Sequence, residues 1–212
     1  SSALRSDHHT PLGLSLWSAR QGYKTKDENF NAFYIGGERL EGGIRTAVAA
    51  WCTDRDAAKA QYGPIASWNT SEITKMEYLF YGRAGFDEDI SRWDVSNVTS
   101  LEFTFGGASA FNGDLSRWGV SNVTTLHRTF NGATSFNGDL SRWDVSKVTS
   151  MSYMFYGANS FNGDLSRWDV SNVTSLYSTF TLATSFTGDL SRWDVRQVRD
   201  MQYAFSGATS FN

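Results

Sequence analysis

Tryptophan recurs at Trp68, Trp93, Trp118, Trp143, Trp168 and Trp193, always at the same 25-residue step, and no insertion breaks that register before the chain ends at Asn212. The same step links Phe80, Phe105, Phe130, Phe155, Phe180 and Phe205, and a second phenylalanine column runs Phe86, Phe111, Phe136, Phe161, Phe186 and Phe211. Aliphatic columns follow suit: Ile73, Val98, Val123, Val148, Val173 and Val198, and Ile90, Leu115, Leu140, Leu165 and Leu190. A unit of this length cannot bury a tryptophan and two phenylalanines by itself, so it must stack on its neighbours and share one continuous core. The predicted architecture is a solenoid in which each column becomes a ladder of like side chains.

Each unit contains two patterns. In LSRWDVS the apolar residues alternate with polar ones, as Trp118 and Val120 do, which predicts a half-buried strand. In SNVTTLHRTFNGA the apolar residues Val123, Leu126 and Phe130 are spaced by three and four. Ser121 or Asn122 opens that stretch as an N-cap and Gly132 closes it, so it predicts a short helix. The following SFNGD carries an Asn-Gly turn. The fold class expected is therefore an α/β solenoid with one short parallel strand plus one short helix per 25-residue repeat, adjacent strands lying about 4.8 Å apart.

The ends differ from the middle. Residues 1–42 lack the period and read as a nonrepetitive leader; 43–64 read as a helical N-terminal cap, broken near residues 53–56; 65–212 hold six repeats, the last incomplete. A first residue Ser1 rather than methionine suggests a processed or incompletely observed chain. The apolar columns stop in mid-unit at Phe211 and Asn212, which predicts stacking on further repeats or on an assembly at the C-terminal end.

Composition narrows the function. With 40% hydrophobic and 15% aromatic residues the chain has ample material for a core. Its 19 basic and 22 acidic side chains leave a net charge of -3, too small a field to gather nucleic acid. The longest apolar runs are a handful of residues, so no direct membrane span is expected. The single cysteine, Cys52, permits no internal disulfide.

The columns Leu115, Trp118, Val120 and Val123 match the L-x-x-L-x-L-x-x-N/C spacing of leucine-rich repeats, with valine in the final slot. More specifically, FNGDLSRWDVSKVTSM at 136–151 followed by MFYGA at 154–158 resembles the BspA-like leucine-rich repeat surface proteins, also known as the mycoplasma lipoprotein-type repeat family. The resemblance covers about residues 65–212. It implies a leucine-rich-repeat-like right-handed coil, and cell-surface, adhesive or interaction roles without a defined chemical site; no catalytic residue is carried over.

Several columns are candidate surfaces. An arginine column, Arg92, Arg117, Arg142, Arg167 and Arg192, runs beside an aspartate column, Asp94, Asp144, Asp169 and Asp194, interrupted by Gly119. Either the two neutralise each other or they form a charged face that docks a repetitive partner. Sequons at Asn69, Asn97, Asn122 and Asn172 are candidate glycosylation sites. The last three share a column with Glu72, Lys147 and Gln197, so that column is expected to be exposed rather than a buried asparagine ladder. The copies disagree most on the expected helix surface, in the columns Glu77, Glu102, His127, Ser152, Tyr177, Gln202 and Tyr78, Phe103, Arg128, Tyr153, Ser178, Tyr203. Their exposed aromatics suit a protein contact patch.

Other chemistry is less well supported. The recurring Asn-Gly-Asp ending in Asp114, Asp139 and Asp164 reads as turn chemistry rather than a calcium site, which wants six to eight oxygens. The threonine column Thr99, Thr124, Thr149 and Thr174 is too narrow for an ice-binding face. His8 and His9 in the leader and His127 have no metal-site spacing. No cofactor and no metal are expected. Catalysis needs unrepeated polar groups brought together, and here the polar residues repeat. The function expected is a noncatalytic module that recognises a protein or glycan surface, extracellular or at the cell surface. The alternative is a scaffold subunit in an organelle lumen within a larger complex.

Overall fold

The computed structural model describes residues 43–212 together with the backbone of β1 (Tyr34–Ile35) and β2 (Glu38–Arg39), which pair antiparallel with Tyr34 opposite Arg39. The rest of the expected leader, His8 and His9 included, lies outside the described residues. Two helices follow, α1 (Gly43–Thr53) and α2 (Arg55–Tyr62). Ile44, Ala47, Val48 and Trp51 put one face of α1 inward at the spacing of a single helical stripe. Asp54 separates the helices in an extended conformation, and its carboxylate accepts the Ala57 N–H at 3.0 Å as the N-cap of α2. Trp51 meets Trp68 edge-on at 5.8 Å, and Arg55 pairs with Glu88 at 2.7 Å, so the helices cover the first coil. No helix among the described residues is long and apolar enough to cross a membrane.

From Ile65 onward the chain winds in 25-residue coils, each bonded to the next in register. Single parallel bridges join Lys75 to Ser100, Ser100 to Thr125, Thr125 to Ser150, Ser150 to Ser175, and Ser175 to Asp200. Beyond each bridge the N–H groups alternate in a fixed way. Leu101, Phe103, Phe105 and Gly107 donate to the carbonyls of Thr125, His127, Thr129 and Asn131 in the next coil, while Thr104, Gly106 and Ala108 donate to Leu101, Phe103 and Phe105 within their own. The same alternation recurs from coil to coil.

This pattern corrects the expected elements. Segment 121–132, predicted as a helix, is a run of turns. Thr129 N donates to the Leu126 carbonyl three residues back, Arg128 N donates to Ser152 in the next coil, and Arg128 has φ 56°. A helix needs every N–H on the carbonyl four residues back; here half of them are claimed by the neighbouring coil. The apolar spacing of three and four arises because tight turns return side chains to the core at similar intervals. Segment LSRWDVS, predicted as a strand, is also turns, with the Ser116 N–H bound by Asp114 and the Trp118 N–H by the Leu115 carbonyl. The parallel pairing falls instead on the segment that begins at Ser100 and Thr125.

The core sits between these layers. Phe105, Phe111, Phe130, Phe136, Phe155 and Phe161 are wholly buried, and successive rings of each column stack 5.4 to 6.0 Å apart. The two columns also interlock within a coil, as in Phe130 and Phe136 at 4.0 Å. Coil spacing near the inter-strand distance is what lets flat rings stack face to face along the whole array.

Candidate interaction surface

Most polar side chains of the repeat turn out to brace the coils, which decides what remains for function. The Asn-Gly turn carries such a brace. Asn112 accepts from Asn137 N at 2.8 Å, Asn137 from Asn162 N at 2.8 Å, and Asn162 from Thr187 N at 2.8 Å; Asp87 fills the same role for Asn112 N at 2.9 Å in the first coil. Asparagine therefore does form a ladder, at the exposed FNGD corner. Read along the chain, the repeated Asn-Gly pair suggests only a turn, because a single unit does not show the partner that the next coil supplies.

The sequon column forms a second ladder. Asn97, Asn122 and Asn172 are exposed, as expected, and each donates its amide to a carbonyl of the preceding coil, those of Ser71, Ser96 and Ser146, at 2.8 Å. Lys147 donates to the Asn122 amide oxygen at 2.8 Å. Asn69 instead accepts the Ser71 N–H at 3.1 Å and its hydroxyl at 2.8 Å. Thr99, Thr124, Thr149 and Thr174 likewise use hydroxyl and N–H together on the threonine carbonyl one coil back.

The charged columns are arranged differently from the pairing expected. Arg92, Arg117, Arg142 and Arg167 are exposed, as are Asp94, Asp144 and Asp169. The aspartates of that column are turn residues: Asp94, Asp144 and Asp169 accept the N–H of Ser96, Ser146 and Ser171 at 2.9, 3.1 and 3.0 Å. The arginine charges are felt instead by the other aspartate column. Asp89, Asp114, Asp139 and Asp164 accept the N–H of Ser91, Ser116, Ser141 and Ser166. Those serine hydrogen bonds, helped by Arg92, Arg117, Arg142 and Arg167, hold the four carboxyls below the usual range. Asp194 is bound by Arg196 at 2.5 and 2.8 Å and falls to about 2. Among the described residues no group of three or more His, Cys, Asp or Glu is arranged to hold a metal ion.

The variable column stands apart. Tyr78, Phe103, Arg128, Tyr153, Ser178 and Tyr203 all have φ between 53° and 59°, the left-handed region that disfavours residues with a side chain. In the 126–129 turn Arg128 occupies the third position, where a type II turn requires positive φ. Side chains held there stack on one another. Tyr78 and Phe103 lie 4.6 Å apart and nearly parallel, and the Arg128 guanidinium sits between Phe103 at 5.0 Å and Tyr153 at 4.2 Å. His127 meets Phe103 and Tyr153 edge-on, and burial followed by the Arg128 charge lowers its imidazole pKa. Where Ser178 interrupts the stack, Tyr177 leans in to contact Tyr153 at 5.1 Å and Tyr203 at 5.8 Å. Nothing in the residue types signals this conformation, since glycine or asparagine is what positive φ normally selects.

The last coil leaves Val195 and Met201 exposed, 40% and 42%, bordering an open hollow of about 560 Å³ with Leu176, Trp193 and Phe211.

These features define a repeat protein whose 25-residue coils are cross-braced by side-chain ladders and which carries one unrepeated aromatic column. The chain belongs to the family described as Mycoplasma protein of unknown function, DUF285, which matches residues 52–155 and 130–212. No curated protein and no solved structure matches it.

Proposed function

We propose that the protein is a noncatalytic solenoid of the BspA-like leucine-rich-repeat kind, acting as an extracellular or cell-surface recognition and adhesion module. The observation that carries this reading is the division of labour among polar groups. Side chains such as Asn137, Thr149 and Asp139 recur from coil to coil with few exceptions and are committed to neighbouring backbone. The copies differ instead in adjacent columns, and the one formed by Tyr78, Phe103, Arg128, Tyr153, Ser178 and Tyr203 is rich in residue types that dominate protein interfaces. A catalytic constellation would need the opposite distribution, with unrepeated acid and base groups converging in one cleft.

The test is to present the purified protein to an array of immobilised extracellular proteins and glycans. Saturable binding to a restricted set supports recognition. The scaffold alternative expects stoichiometric copurification with one complex and no array binding, and turnover of any substrate that survives in residues 65–212 alone would overturn both.

A further inference from the structure

Arg128 is the one charged residue of the variable column. Its Nε is buried without a hydrogen-bond partner, and none of the ion pairs among the described residues involves it. Its guanidinium is nevertheless fixed in place between the Phe103 and Tyr153 rings, so the rotamer freedom an arginine ordinarily loses on binding is already lost. Flat, delocalised and permanently charged, the guanidinium offers a donor fork that matches a carboxylate. The side chain as a whole keeps part of its surface open.

We propose that the strip centred on Arg128 is a protein-docking site whose partner supplies one isolated carboxylate, from an aspartate, a glutamate or a chain terminus, to the guanidinium edge. This rests on the recognition reading above and sharpens it. Two observations favour a protein over a glycan. The rings of Tyr78 and Phe103 stack on each other, and those of Phe103 and Tyr153 enclose the guanidinium, so next to Arg128 the facing ring surfaces are spent and edges remain. A sugar ring would need a free face, whereas tyrosine edges around an ordered arginine are the usual composition of a protein hot spot. Charge also limits the partner. Glu102 lies close enough to feel Arg128, and Glu77 close enough to feel Glu102, so a densely acidic polymer would meet repulsion one coil away.

A random dodecapeptide library displayed on phage and selected on the wild-type protein supplies the probe. Arg128→Tyr is the informative variant because Tyr78, Tyr153 and Tyr203 already occupy this column, and an unchanged melting curve would verify its fold. Selected peptides are expected to carry an aspartate or glutamate whose amide replacement weakens binding about tenfold or more, with Arg128→Tyr giving a matching loss. Peptides that need no acid, peptides that bind Arg128→Tyr equally well, or no binding peptide at all would overturn the proposal. So would an oligosaccharide of alternating glucuronate and neutral sugars that binds through Arg128 more tightly than any peptide. If array binding persists in Arg128→Tyr, this site fails and the recognition reading stands; if the wild type binds nothing on the array, the broader reading fails.

Discussion

The indole N–H of Trp143 donates to the carbonyl oxygen of Leu115, one coil back, at 3.0 Å. Trp93, Trp118, Trp168 and Trp193 make the same bond to Ile65, Ile90, Leu140 and Leu165, at 2.9 to 3.1 Å. The invariant tryptophan of the core is thus also a polar clamp. A tryptophan in this place is specified by the reach of its N–H as much as by its volume.

Trp143→Phe should therefore cost about 1 kcal/mol, because it retains an aromatic ring but removes one of the two donors on the Leu115 carbonyl, which keeps the Trp118 N–H. Trp143→Ala should cost about 3 to 5 kcal/mol by adding a cavity. Urea unfolding of the two variants measures the difference; a phenylalanine variant as stable as the parent would show the bond contributes nothing.

Leu182 occupies a position that is glycine in Gly82, Gly107, Gly132, Gly157 and Gly207, with φ 60° and 45% of its surface exposed. Relief of left-handed strain is worth about 1 to 2 kcal/mol, and the extra chain entropy of glycine takes back about half of it. Leu182→Gly is expected to raise the melting temperature modestly, while Gly132→Ala at φ 69° lowers it.

Asn137→Ala should destabilise by about 1 kcal/mol, since it strips the Asn162 N–H of its acceptor. Asn137→Asp should be close to neutral, because Asp87 already performs this role in the first coil. Amide exchange at Asn162 reports the bond locally and should accelerate in the alanine variant alone.

Acid should weaken the fold through the serine-capped carboxylates. The carboxyls of Asp114, Asp139 and Asp164 titrate lower when folded, owing to hydrogen bonds from Ser116, Ser141 and Ser166. Below about pH 4 the unfolded chain then binds more protons than the folded one, so their contribution is present above that range and is lost as pH falls through the folded values. Changing all three to asparagine preserves an acceptor oxygen but cannot titrate. Thermal melts from about pH 6 down to about pH 2 should show a shallower acid limb in the triple variant.

Columns and backbone differ sharply in how much the sequence shows of them. The spacing of Trp143, Phe130, Phe136 and Val148 points directly to buried ladders, and each is buried. Exposure of Asn97 and Asn122 is equally readable from the lysine and glutamine that share their column. The elements are misread from sequence because Val123, Leu126 and Phe130 have helical spacing, and only the adjacent coil reveals that His127 and Thr129 give their carbonyls to Phe103 and Phe105. The influence of the Arg92 charge on Asp89 rather than on Asp94 is hidden for the same reason, since a turn sets which charges face each other.

By itself the sequence determined which side chains are buried wherever a coil is covered on both sides, because a 25-residue step repeated without insertion leaves the same atoms to be covered in each such unit. It also determined where the copies are free to differ. Tertiary structure alone decided the backbone path and the left-handed column from Tyr78 to Tyr203. Local preference opposes positive φ at tyrosine, phenylalanine and arginine by about 1 to 2 kcal/mol each. Bonds such as Phe103 N–H to the His127 carbonyl, together with the Phe103, Arg128 and Tyr153 stack, exist only once a neighbouring coil is in place to offset that cost.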